Sequence, residues 1–103
     1  MNKTNENRME EIVVHAGFDG KKRIVRFTGE YLYVSANGDY LTPGFHQWTL
    51  FAVPGGKYRV RVAYPASEGK VEHMSLSRNI TAQEVRRRYP KLAANAASDG
   101  VMP

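Results

Sequence analysis

The sequence contains no cysteine, which excludes a disulfide framework, a thiol nucleophile and a thiolate-bound metal. Nor does any apolar run approach the roughly 18 residues that a membrane span requires, so a soluble chain is expected. Met1 to Arg8 are polar and lack the apolar core of a secretory signal, which favours a cytoplasmic location. Acidic residues are the minority, 10 against 15 Lys and Arg, for a formal charge of +5. That balance bears on solubility and attraction to polyanions, not on fold.

The usual catalytic patterns are missing too. There is no Gly-x-Ser-x-Gly elbow and no serine with a recognisable His and acid arrangement. Gly17-Phe18-Asp19-Gly20-Lys21-Lys22 and Gly55-Gly56-Lys57 place Lys after Gly, but lack the spacing, the following Ser or Thr and the helix of a phosphate-binding loop. His15, His46 and His73 are far apart and show no metal-ligand spacing. Glu30, Asp39, Glu68 and Glu72 read as solvated surface charges. The expectation is a non-enzymatic chain with no catalytic residue, no metal and no cofactor.

What is present is a set of turns. Asp19-Gly20, Asn37-Gly38 and Gly55-Gly56 follow one another at intervals of eighteen residues, each between runs of β-branched, aromatic and charged residues. Such dipeptides favour hairpin turns, because their positions need positive φ, which Gly accepts freely. Three hairpins are predicted. In the first, Ile12 opposes Phe27, Val14 opposes Val25 and His15 opposes Ile24, leaving Val13 and Arg26 on the reverse side. In the second, Tyr31 to Ser35 pairs with Tyr40 to Thr42, after a break at Gly29 and before an interruption at Pro43-Gly44. In the third, a two-residue turn sets Phe51 against Val60 and Val53 against Tyr58 on the core face. The same register sets Leu50 against Arg61, Ala52 against Arg59 and Trp48 against Ala63 on the other face. Similar turns and alternating strands account for the likeness between Val14–Thr28 and Leu50–Tyr64 without duplication.

A weaker strand is expected over Val71 to Leu76. Thr81-Ala82-Gln83-Glu84 is a capping box, with Ile80 and Val85 as its hydrophobic staple. Val85, Tyr89 and Leu92 then form an apolar stripe, and Pro90 should kink or end the first two turns before the helix continues to about Ala97. The predicted fold is α+β: one domain over residues 9–97, an antiparallel β-meander of five to seven strands with one C-terminal helix packed on one face. That helix would cover Ile12, Val14, Phe27, Phe51 and Val60. Residues 1–8 are expected to be a disordered tail, and residues 98–103 to fray.

Glu10-Glu11-Ile12-Val13-Val14, Gly17 to Arg23, Val25 to Gly29, Trp48 to Phe51 and Gly56-Lys57-Tyr58 together resemble the small bacterial EXLDI proteins over about the middle two-thirds of the chain. The family's N-terminal ribbon-helix-helix-like segment and closing Glu-x-Leu-Asp-Ile motif have no counterpart in these residues. The resemblance implies a small non-catalytic protein and transfers no site.

The functional expectation rests on one sheet face. Arg59 and Arg61, with Leu50 and Trp48 beside them and Arg26 extending the patch, form a basic and aromatic surface. It suits a protein partner, nucleic acid, or solvent alone with Arg stems covering the indole. The reading adopted is a small binding protein that engages a protein or protein complex, in the manner of a mobile-element or phage accessory factor or inhibitor. The alternative is sequence-independent nucleic-acid binding that adds Lys57, Arg86, Arg87 and Arg88. A homodimer is compatible with either, and no membrane contact is expected.

Overall fold

A computed structural model describes residues 8–17, 23–37, 46–65 and 72–103. The elements in chain order are β1 (Glu10–Ala16), β2 (Arg23–Ala36), β3 (Gln47–Val53), β4 (Lys57–Pro65), β5 (Glu72–Leu76), α1 (Ala82–Arg88) and α2 (Pro90–Ser98). The strands form one antiparallel sheet in sequence order. Its last strand returns to its first: Gly17 and Met74 exchange two backbone hydrogen bonds, of 2.6 and 2.8 Å. The sheet is therefore curled, with an inside and an outside. Among the described residues no helix is long and apolar enough to cross a membrane.

The long strand β2 makes the curl. Its first half pairs with β1 up to Gly29, and its second half pairs with β3 from Glu30 onward. Gly29 does not break the strand; it lies at the handover. A Cβ there would sit 2.6 Å from the Ala52 carbonyl oxygen and 3.2 Å from the Phe27 ring, so only glycine lets β3 and the ring come so close. Three residues on, a bulge in the pairing turns both Leu32 and Tyr33 toward the outer core.

The first hairpin has the expected register: Ile12 opposes Phe27, Val14 opposes Val25 and His15 opposes Ile24. Its Asp19-Gly20 turn lies outside the described residues, as do residues 1–7 of the expected tail. The second hairpin differs. Tyr31 to Ala36 pairs with Gln47 to Phe51, while the expected return arm, Tyr40 to Thr42, lies with Gly38 and Pro43-Gly44 outside the described residues. Pairing with β3 brings in its Leu50-Phe51-Ala52-Val53 run, in which every side chain is buried. Asn37 and His46 hold the two arms together, the His46 N–H donating to Asn37 Oδ1 at 2.6 Å.

The third hairpin is shifted by one residue from the expected register. Pro54-Gly55-Gly56 is a three-residue loop joining the Val53–Lys57 pair, with φ of 87° at Gly55 and 71° at Gly56. Leu50 consequently opposes Val60, Trp48 opposes Val62, Phe51 opposes Arg59 and Thr49 opposes Arg61. A slip of one residue changes which side chains share a face.

Two cores result. On the outside of the sheet, Leu50 and Val60 pack with Ile80, Val85, Leu92, Ala93, Ala96 and Met102. On the inside, Ile12, Val14 and Phe51 pack with Val25, Phe27 and Leu76. The expectation that the helix would cover Ile12, Val14, Phe27 and Phe51 is overturned. The shifted register gives the helical layer Leu50 instead of Phe51, and the curl folds β1 and β2 over the opposite side.

The expected single C-terminal helix is two. Thr81 caps α1 by accepting from the Glu84 N–H at 3.1 Å, as the capping sequence implies. Tyr89 then leaves helical geometry, and Pro90 starts α2 in the first-turn position where its missing N–H costs nothing. The closing residues do not fray: the Val101 N–H bonds the Ala96 carbonyl, Met102 is only 4 % exposed, and Arg86 donates to the Pro103 carbonyl.

Candidate arginine and aromatic site

Inside the curl, β1, β2, β3 and β5 contribute apolar side chains, whereas β4 contributes Arg59 and Arg61. Arg59 lies opposite Phe51, and its guanidinium carbon sits 4.8 Å from the centroid of the Phe27 ring. Phe27 meets Phe51 edge-on at 5.2 Å, and Tyr31 meets Phe51 at 4.8 Å with a tilt of 55°. These contacts make a continuous platform of three rings with a cation on it. Tyr31 is 55 % exposed and forms its rim.

The charge on this platform is poorly compensated. Among the described residues, the buried Arg59 Nε has no hydrogen-bond acceptor and no carboxylate lies within ion-pair distance of Arg59. Burial lowers the guanidinium pKa from its ordinary value. Ring-face attraction offsets part of that cost. Arg61 is better served: its Nε donates to the His15 carbonyl at 3.3 Å, and Nη2 contacts Met74 Sδ at 2.7 Å. Its head therefore ties β4 to the β1–β5 junction, which leaves Arg59 as the inner arginine without a polar partner among the described residues.

Several expected site residues do not join this group. Trp48 and Leu50 share the outer face with Val60 and Val62, under the helices. Leu50 is fully buried, and Trp48 packs on the same cluster while its ring stacks on His46 at 5.6 Å. The expected surface combining Trp48 and Leu50 with Arg59 and Arg61 is therefore contradicted, because the three-residue turn shifts the register and places them on opposite sides. Arg26 does not extend the patch either. It projects from the other side of β2, away from Phe27, 4.0 Å from Glu11 and opposite Val13.

The basic residues of the alternative reading are dispersed. Lys57 starts β4 beside the glycine turn, on the exposed end of the hairpin. On α1, Arg86 bonds the Pro103 carbonyl, Arg87 sits 3.7 Å from Glu84, and Arg88 lies 5.6 Å from the Tyr89 ring. Each is engaged locally, and the three point around the helix without forming a stripe.

Sequence reasoning missed Phe27, Phe51 and Tyr31 as the aromatic companions of Arg59. A signal existed in the four successive apolar residues Leu50 to Val53. Such a run marks a strand buried on both faces, so the residue beside Leu50 had to have a second core to enter. Comparison of the chain with protein-family models, with curated proteins and with solved structures finds no match.

Proposed function

We propose that this chain is a small non-enzymatic, cytoplasmic binding protein that takes an acidic side chain of a protein partner at Arg59, against Phe27 and Tyr31. The observation that carries this reading is Arg59 itself, a half-buried cation whose Nε is out of water and which has no acidic companion among the described residues. Buried charges are ordinarily paired, and a carboxylate supplied by a partner would complete the pair. Tyr31 offers the exposed aromatic surface common among interface anchors. An accessory or inhibitory role toward a larger protein complex is consistent with such a site.

Affinity capture from the cells that encode the chain, followed by identification of the retained protein, tests the reading. Native protein and Arg88→Met should retain the same partner, and Arg59→Met should lose it. Capture that Arg59→Met leaves unchanged overturns the assignment. If nuclease abolishes capture, and binding measured without nuclease falls log-linearly with salt, the site binds nucleic acid instead.

A further inference from the structure

A second site lies on the outer side of the sheet, between the β2–β4 strands and the closing residues of the chain. A cleft of about 590 Å³ is floored by Leu32, Ala52, Val53 and Met102. A smaller recess of about 390 Å³ continues it past Leu32, Gly100 and Val101 to Glu30 and Arg8, and reaches Tyr31 at the rim of the arginine platform. These volumes fall in the range of roughly 300–1,000 Å³ typical of small-molecule sites. The floor is apolar because Ala52 and Val53 at the end of β3 meet the buried Met102 there.

Glu30 is the anomaly in this cleft. Its side chain is 17 % exposed, its Oε2 lies 3.9 Å from the largely exposed Arg8, and its Oε1 is buried with no hydrogen-bond partner among the described residues. A buried carboxylate oxygen calls for a donor. With Arg8 on one side of the carboxylate and little of it exposed, the recess leaves room for the compact point charge of an ammonium rather than the two-pronged guanidinium. Lys57 lines the far end of the larger cleft and opposes a second positive charge. We infer that the cleft binds a small primary amine carrying one positive charge and an apolar body, the ammonium beside the Glu30 carboxylate and the body over Leu32 and Met102.

The test is an NMR titration of the full chain with hexylamine, hexanol and hexanoate. Hexylamine should bind at least about tenfold more tightly than hexanol, the scale of one charge-assisted hydrogen bond, and hexanoate more weakly than both. The shifted signals should be those of Glu30, Leu32, Val101 and Met102. Glu30→Gln should reduce hexylamine to the affinity of hexanol, and Arg8→Ala should tighten it by removing a competing cation. Arg8 is exposed, so that variant tests the site even if Glu30→Gln does not fold. Arg59→Met should leave hexylamine binding unchanged, which separates this site from the arginine platform. Equal affinities for hexylamine and hexanol, shifts scattered over the surface, or no binding would overturn the inference.

Discussion

Replacing Arg59 with Met should make the isolated protein more stable, the opposite of what removing a well-paired arginine does. The buried Nε–H without an acceptor costs about 1–3 kcal/mol. Against this, the guanidinium over Phe27 at 4.8 Å returns about 0.5–1 kcal/mol, the range for such contacts where water still reaches the cation. Methionine has a similar reach, carries no buried donor, and places a thioether against Phe27 and Phe51, worth about 0.3–1.5 kcal/mol. The terms combine to between about 0.3 and 4 kcal/mol in favour of the variant, and each 1 kcal/mol raises the melting temperature by about 4–8 °C for a domain of this size.

Equilibrium urea unfolding followed by the fluorescence of Trp48, the single tryptophan, measures this directly. The midpoint should rise with an unchanged slope. Arg87→Met is the control: Arg87 is 70 % exposed at 3.7 Å from Glu84, and its loss should change stability by no more than about 0.5 kcal/mol. A midpoint for Arg59→Met that falls by the equivalent of 1 kcal/mol or more, about the size of an ordinary hydrogen bond, would refute the view of Arg59 as an uncompensated charge. Stability gained together with partner lost is the pattern of a residue kept for binding.

Three further outcomes follow from the packing. Gly29→Ala should lower stability by about 1–3 kcal/mol in the same unfolding assay, because the added Cβ meets backbone at 2.6 Å, and backbone cannot swing aside. Met102→Ala should cost about 2–5 kcal/mol in thermal unfolding, as expected for a methionine only 4 % exposed and unlike any residue of a frayed end. Burial, and then the neighbouring Asp99 carboxylate, raise the Tyr33 pKa above 10.0. The folded state thus holds the phenol proton more tightly than the unfolded chain, so this contribution is complete below pH 10 and fades as pH rises through the folded value. Asp99→Asn should move the phenolate absorbance titration of Tyr33 down toward, but not to, its ordinary position.

The fold was legible where a local rule decided it and obscure where a count of one residue did. Ile12, Val14, Val25 and Phe27 alternate cleanly, and their register followed from the pattern. Thr81, Glu84 and Pro90 announced the helix start and the break after Tyr89 through the chemistry of caps and of a missing N–H. Between Val53 and Lys57, two adjacent glycines fit either a two-residue or a three-residue loop, since both put residues at positive φ. Alternation could not choose, because either register sets an apolar residue opposite an arginine somewhere along β3.

Burial on both sides of β3 makes the choice. In the register with Leu50 opposite Val60, the outer face carries an unbroken apolar set for the helices, and both arginines turn inward. The slipped alternative would put Arg59 and Arg61 beside Leu50 under α1 and α2, burying two cations in a layer whose inward residues are Val85, Leu92, Ala93 and Ala96. Two unpaired charges there would cost several kcal/mol, whereas inside the curl one is satisfied by the His15 carbonyl and Met74 and only Arg59 is left over. The position of Arg59 is thus the least costly arrangement open to a strand reading Lys-Tyr-Arg-Val-Arg-Val, and the part of that cost which the chain does not offset is what an acidic partner would supply.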